Sequence, residues 1–306
     1  MTTPMDAARD ALEGLALGDA FGELWSPYFR PGDSALEGIR ARREPQEPAW
    51  RWTDDTAMAV SLLQVLREHG TVRQDRLAQA FGAAYVADAH RGYGHGMRRL
   101  LPELAKRPSS WRTEAKNLFD GQGSLGNGAA MRVAPLGAWF HADLDEVTDQ
   151  AVLSAEVTHA HPEAIAGAVA VAVAAALAAR GRDRPVPRAA DFLREVVAFT
   201  PAGQVAQGLR RAAELPAGTG PGEAADVLGN GRSIRASDTV PFALWSAARH
   251  LDSLLDALWT TAEGLGDVDT NCAITCGTVA ARTGTAAIPD AWWARREPLP
   301  DGPATA

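Results

Sequence analysis

Two short clusters of carboxylates and hydroxyls, far apart in the chain, constrain its fold more than any other feature. The first is Thr53-Asp54-Asp55, followed by Thr56, and the second is Asp267-Val268-Asp269-Thr270. More than two hundred residues separate them. Each opens a run of small and apolar residues that reads as a helix. Thr and Asp at such a point accept hydrogen bonds from free first-turn amides, and their charge suits the positive end of the helix dipole. Capping alone explains either cluster taken singly. Each nevertheless carries more carboxylate than capping needs, and a fold that joins them must compensate four carboxylates at one point, because unpaired buried charge is too costly. Hard divalent cations answer that demand, since Mg²⁺, Mn²⁺ and Ca²⁺ favour oxygen ligands. Neither cluster holds the His or Cys expected of zinc. The twelve-residue loop ending in Glu that an EF-hand uses is absent. Side-chain oxygens from six residues, with water and one bridging carboxylate, suffice for two octahedral ions.

At 306 residues, 46% hydrophobic and 22% charged, the chain has the makings of a folded domain with a substantial core. A net charge of −8 argues against a general binder of nucleic acid or acidic membranes. The arginine pairs Arg98-Arg99 and Arg295-Arg296 are expected to be exposed. Cys272 and Cys276, spaced i, i+4, are awkward for a disulfide and too few for a thiolate zinc site, so both are expected to be small buried residues. Met1 to Arg9 lacks a basic region followed by an apolar core, predicting no secretory signal. Ala164 to Ala179 is apolar but shorter than the roughly 20 residues that span a bilayer, and reads as a buried helix. A cytoplasmic location, with no membrane association, is the expectation.

Apolar residues at Met5, Ala8, Leu12, Leu15 and Ala16 predict an opening helix, which Gly18-Asp19-Ala20-Phe21-Gly22 is expected to interrupt. Four prolines make residues 26–50 a loop-rich connection. Met58, Leu62, Val65, Leu66 and His69 then share one helical face, with Gly70 as its stop, and residues 75–90 repeat the pattern. Gly121 to Arg132 packs four glycines into eight residues before turning helical toward Leu136. Bare backbone before a helix can approach a phosphate, but the segment matches neither the P-loop nor the dinucleotide fingerprint and can equally be a tight loop. Thr158-His159-Ala160-His161-Pro162 sits at a helix junction, Pro162 suiting a first turn; its histidines can bind a metal or an anion, or simply be hydrogen-bonded. Further helices are expected over 191–199, 238–245 and 251–265, with a linker at 180–187 and a surface loop between Gly218 and Gly231. Strand signals are sparse. The expected fold is all-α, a single domain over residues 1–306 with a flexible tail at its end.

In order, Gly14-Leu15-Ala16-Leu17-Gly18-Asp19-Ala20-Phe21-Gly22, Trp52-Thr53-Asp54-Asp55-Thr56, Gly123-Ser124-Leu125-Gly126-Asn127-Gly128 with Met131-Arg132, Thr158-His159, His161-Pro162 and Gly266-Asp267-Val268-Asp269-Thr270-Asn271 resemble the ADP-ribosylglycohydrolase family. The resemblance covers nearly the whole chain. It implies an orthogonal multi-helix bundle with a binuclear Mg²⁺ or Mn²⁺ site at its centre. Thr53, Asp54, Asp55, Asp267, Asp269 and Thr270 would be the metal ligands, Asp269 bridging. Gly123, Ser124, Leu125, Gly126 and Asn127 would hold the ADP-ribose diphosphate and distal ribose, with His159 touching substrate. Three departures stand out. Ser26 occupies a position where many members carry glutamate, whereas this chain has Glu23, so water activation falls to Asp54, Asp55 or Glu23. Leu125 stands where some relatives have an aromatic residue, and Leu265 displaces a glycine before the second cluster.

The implied activity is hydrolysis of the glycosidic bond between ADP-ribose and an acceptor, releasing ADP-ribose. The acceptor can be an ADP-ribosylated protein (through arginine, serine or an acyl adduct), a nucleic-acid base or a small molecule, presented at a mouth shaped by residues 26–50 and 216–239. Two other readings share the fold. One is a non-catalytic binder of ADP-ribose or of a protein partner; the other is a binuclear phosphohydrolase acting on the diphosphate. A monomer is expected.

Overall fold

Every regular element in the computed structural model, which describes residues 3–26 and 32–300, is helical. The chain runs through α1 (Pro4–Glu23), α2 (Gly32–Arg40), α3 (Asp54–His69), α4 (Gln74–Ala87), α5 (His95–Lys106) and α6 (Trp111–Gly121). After the glycine-rich segment come α7 (Ala134–Trp139), α8 (Leu144–Glu156), α9 (Pro162–Arg180), α10 (Ala189–Phe199), α11 (Gln204–Glu214) and α12 (Pro221–Leu228). α13 (Ala236–Arg249), α14 (Leu254–Glu263), α15 (Val268–Thr283) and α16 (Asp290–Arg295) complete it. Isolated bridges, Trp50 with Arg296 and Gly126 with Arg235, are the extended pairings among the described residues.

α1 and α15 form the central seam. Gly14, Gly18 and Gly22 recur every fourth residue and so share one face of α1. A Cβ placed at Gly18 would lie 2.2 Å from the Cys272 carbonyl oxygen, one at Gly14 2.3 Å from the Ala280 Cβ, and one at Gly22 2.6 Å from the Asp269 Cα. The helices therefore run antiparallel with their backbones in contact, an approach only glycine permits. This overturns the interruption expected at residues 18–22. Each glycine costs local helix propensity of about 1 kcal/mol, but close packing along the seam carries α1 unbroken to Glu23.

The loop expected over residues 26–50 also contains a helix. In α2, Ala35 and Ile39, four residues apart, are buried in the same apolar cluster as Trp25, and the prolines around them hid that short stripe. Pro27 and Pro31 lie outside the described residues, as does the expected tail after Pro300. Between Gly218 and Gly231, where a loop was expected, α12 starts at Pro221 and buries Ala224, Ala225 and Leu228. Arg296 was expected to be exposed; it is buried, and its guanidinium donates to Glu13 at 2.7 Å. Arg98 and Arg99 are exposed as expected.

α9 is apolar and long enough to cross a membrane by length and composition, yet 78% of its apolar window is buried inside the protein, against α7, α8, α10, α13 and α15. Cys272 and Cys276 are free and buried. A second core gathers Phe21, Trp25, Trp50, Trp259 and Trp292, with Phe21 edge-on to Trp259 at 4.9 Å between ring centres and stacked on Trp292 at 5.5 Å. This aromatic cluster ties α1, α14 and α16 to the segment that leads into the first acidic cluster.

Candidate active site

Both acidic clusters begin helices. Thr53 caps α3 in an extended conformation, its hydroxyl accepting from the Asp55 amide at 3.4 Å. Asp267 is the N-cap residue of α15, following a turn in which Leu265 and Gly266 both take left-handed backbone, φ 54° and 79°. Glycine adopts that conformation freely and leucine does not, so the turn is strained where Leu265 stands. The seam then sets the clusters facing each other, because Gly22 abuts Asp269 while Asp19 and Glu23, one helical turn apart on α1, reach toward α3 and α15.

Asp19 bonds to the first cluster and lies within electrostatic reach of Asp269 in the second, and the sequence alone did not single it out. Its carboxylate is fully buried and accepts the Thr53 amide at 2.9 Å, the Thr56 amide at 3.1 Å and the Thr56 hydroxyl at 2.5 Å. A charged residue inside an apolar helical run was the available signal. Reading residues 18–22 as a break concealed it.

Six carboxylates thus gather: Asp19, Glu23, Asp54, Asp55, Asp267 and Asp269. Burial, then the Asp269 charge, push Asp54 well above the usual carboxylate range. Burial does the same to Asp55, reinforced by Asp19, Asp269, Asp54 and Asp267. Asp19 is raised to about 7, chiefly by burial and, secondarily, by Asp269, against the lowering effect of its Thr56 hydrogen bond. Glu23 is raised to about 8 by burial, then Asp269 and Asp19. Burial, then the Asp269 charge, raises Asp267, and burial raises Asp269. No arginine or lysine among the described residues is a leading influence on any of the six.

One Asp55 oxygen is buried with no hydrogen-bond partner among the described residues. Such a concentration of uncompensated oxygen fits hard divalent cations. In their positions here the side chains are not drawn around a single point: no three Asp, Glu, His or Cys groups among the described residues form a closed ligand set. Thr270 is buried, and its side chain lowers the Asp267 pKa against the larger effect of burial.

The glycine-rich segment forms the neighbouring wall. Regular helix in α6 ends before Leu118, and Phe119, Asp120 and Gly121 all have positive φ, 51°, 58° and 84°. Phe119 keeps 45% of its surface exposed. The following loop pairs with residues 231–236: the Asn127 amide donates to the Ile234 carbonyl and the Ala236 amide to the Leu125 carbonyl. Gly123, at φ 74°, leaves no room for a side chain, since a Cβ would sit 2.9 Å from the His161 nitrogen. Ser124 bends back to accept the Gly126 amide at 3.2 Å. The Ser124 and Leu125 amides donate to no group among the described residues. Asn127 turns its side-chain amide to Asp267 at 2.6 Å and to Thr239 at 3.0 Å, linking this loop to the second cluster.

The histidine pair divides its roles. His161 caps α9, accepting the Glu163 amide. His159 is buried under the glycine loop, its Nε2 lying 2.9 Å from where a Gly128 Cβ would be. Its Nδ1 lies 2.7 Å from the Thr158 hydroxyl, which already accepts from the buried guanidinium of Arg132. Thr158 and Nδ1 share one hydrogen bond whose direction follows the ring tautomer, while Nε2 faces the loop. Burial, then the Arg132 charge, lower the His159 pKa to about 3, so the ring is neutral. Arg132 also donates to the Gly128 carbonyl at 3.1 Å, pinning the loop from below.

Fold and site together define a helical protein with a buried carboxylate cluster beside a glycine loop. The chain belongs to the ADP-ribosylglycohydrolase family, whose model matches residues 1–302. It is 33% identical over 170 residues to the human ADP-ribosylhydrolase ARH3, covering 53% of this chain and 47% of that protein, so the match spans about half the length of that relative. An uncharacterized protein of Archaeoglobus fulgidus is 32% identical, with 93% of this chain and 89% of the relative covered. The ADP-ribosylarginine hydrolase Tri1 of Serratia proteamaculans is 27% identical, with 94% and 74% covered. A solved structure titled as an ADP-ribosylglycohydrolase-related protein complex shares the fold, with TM-score 0.67, 24% identity and coverage of 97% of this chain and 94% of that one.

Proposed function

We propose that this protein hydrolyses the glycosidic bond joining ADP-ribose to an acceptor and releases ADP-ribose. The observation that carries the reading is the set of six gathered carboxylates, with no cation among the described residues as a leading partner, set directly against a loop with free amides. Thr53, Asp54, Asp55, Asp267, Asp269 and Thr270 would hold two Mg²⁺ or Mn²⁺ ions. When bound, these supply Lewis-acid polarisation and orientation of the ribose hydroxyls next to the anomeric carbon. Asp19 fixes the first half of that ligand set by accepting from Thr53 and Thr56, and Asn127 fixes the second by donating to Asp267.

The Ser124 and Leu125 amides provide donors for the diphosphate, and the Nε2 of neutral His159 faces the loop from beneath. Phe119 offers an exposed ring face at the edge of the loop for stacking against a base. Glu23 remains outside the ligand set and takes the proton of the attacking water at its carboxylate oxygen. A base of raised pKa suits this step near neutral pH. The anionic surroundings stabilise an oxocarbenium-like transition state as the acceptor departs.

The deciding experiment is incubation with a panel of ADP-ribosylated acceptors, beginning with ADP-ribosylarginine, with and without a chelator. Chelator-sensitive release of ADP-ribose is the expected result. AMP with ribose phosphate would mark a phosphohydrolase, and no release from any acceptor would leave a binding protein.

A further inference from the structure

Behind the first acidic cluster, the last described residues and the turn after α4 close on the peptide that carries it. Residues 295–298 run beside residues 50–52: the Trp50 amide donates to the Arg295 carbonyl and the Glu297 amide to the Trp50 carbonyl, each at 2.8 Å. The Glu297 carboxylate receives both terminal nitrogens of Arg91, each at 2.7 Å, in a two-pronged bond. The Arg91 guanidinium lies 3.6 Å from the Trp52 ring centre, and Nη1 donates to the Trp52 carbonyl at 2.8 Å. The Arg91 carbonyl in turn accepts the Asp54 amide at 2.7 Å. One residue therefore grips the chain on both sides of Thr53.

Solvent does little to weaken this pair, since the Arg91 and Glu297 side chains keep 11% and 27% of their exposure. Asp88 adds a second carboxylate, 3.0 Å from Arg91 Nε. Arg91 is also within electrostatic reach of Asp19 in the acidic cluster. Its guanidinium bonds to Glu297, Asp88 and the Trp52 carbonyl, and to none of the six clustered carboxylates among the described residues.

We propose that Arg91 and Glu297 are positioning residues for Thr53-Asp54-Asp55: Arg91 sets the Thr53–Asp54 peptide, and Glu297 holds the Arg91 charge away from the ligand oxygens. The proposal rests on the reading of that triplet as metal-binding. Loss of Glu297 acts twice in the same direction. It loosens the peptide that presents Asp54 and Asp55, and it frees a cation to compete with the metal ions. Partners that orient metal ligands typically contribute about 10- to 100-fold in affinity.

The test is Mn²⁺ affinity by titration calorimetry, far below the melting temperature, on wild type, Glu297→Gln, Arg91→Lys and Val196→Ala. Val196→Ala trims the buried core in α10 and controls for simple loss of stability. Glu297→Gln and Arg91→Lys are expected to weaken Mn²⁺ binding about 10- to 100-fold while Val196→Ala leaves it unchanged. Arg91→Lys keeps the charge but not the two-pronged bond, so it carries the test by itself should Glu297→Gln prove too unstable to titrate. Wild-type affinity in both clamp variants, or equal weakening in Val196→Ala, overturns the clamp. Absence of Mn²⁺ binding by the wild type instead removes the metal reading on which the clamp depends.

Discussion

Asp19 on α1 and Thr56 on α3 are joined by a 2.5 Å hydrogen bond between carboxylate and hydroxyl, and the same carboxylate oxygen accepts the Thr56 amide at 3.1 Å. The bond anchors the N-terminus of α3 to the seam helix. Asp19→Asn can keep an oxygen where Oδ2 accepts from Thr53 and Thr56, but it removes a negative charge and sets an NH₂ donor against the Thr53 amide, 3.1 Å from the Oδ1 position. The variant is expected to stay helical by circular dichroism, to lose roughly 10-fold or more in Mn²⁺ affinity and to release ADP-ribose correspondingly more slowly at limiting metal. Unchanged affinity would remove Asp19 from the site.

Glu23 and Ser26 offer a direct comparison. Glu23 is the partly exposed carboxylate beside Asp19 and Asp269. Ser26 is buried just past the end of α1 and carries no carboxylate to accept a proton. Its replacement by alanine is expected to leave turnover within a few-fold of wild type. Glu23→Gln is expected to lower kcat by about 10²- to 10⁴-fold, the usual contribution of a general base, with KM changed little. A wild-type kcat in Glu23→Gln would return the role to Asp54 or Asp55.

The raised carboxylates fix a direction for stability against pH. Asp19 and Glu23 titrate at about 7 and about 8 in the fold, above ordinary values of 3.8 and 4.5. The folded chain holds their protons more tightly than the unfolded chain does, so their contribution is fully present below about pH 4. It is lost as pH rises through about 7 to 8. Metal-free protein is therefore expected to melt at a lower temperature at about pH 8 than at about pH 5.5. Saturating Mg²⁺ or Mn²⁺ should raise the melting temperature more at the higher pH, because cations and protons compete for the same oxygens. Thermal melts across pH with and without EDTA check this; a flat profile that ignores metal would contradict it.

The α1–α15 seam should be intolerant of a single methyl group. Gly18→Ala drives a Cβ into the Cys272 carbonyl and is expected to destabilise by about 1–3 kcal/mol or more. Gly222→Ala, in α12 with nothing within 4 Å of the new Cβ, is expected to stabilise by about 0.5–1 kcal/mol through helix propensity. Denaturant melts of the two variants give the comparison.

Much of this protein is legible in the chain itself. The helical periods from Met58 to Leu66, the Gly70 stop, the Pro162 start and the buried cysteines follow from local rules and recur in the structure. The acidic clusters announce themselves because each holds more negative charge than one helix end uses. What the chain could not announce is which distant surfaces meet. Gly14, Gly18 and Gly22 look like breakers locally, and only contact with α15 turns them into a seam. Asp19 looks like part of a turn until that seam buries it against Thr53 and Thr56. Arg91 and Glu297, more than two hundred residues apart, form a two-pronged ion pair only after residues 295–298 are laid along Trp50. Local propensity is written residue by residue, whereas burial and electrostatic coupling depend on distances that exist only once the helices have packed.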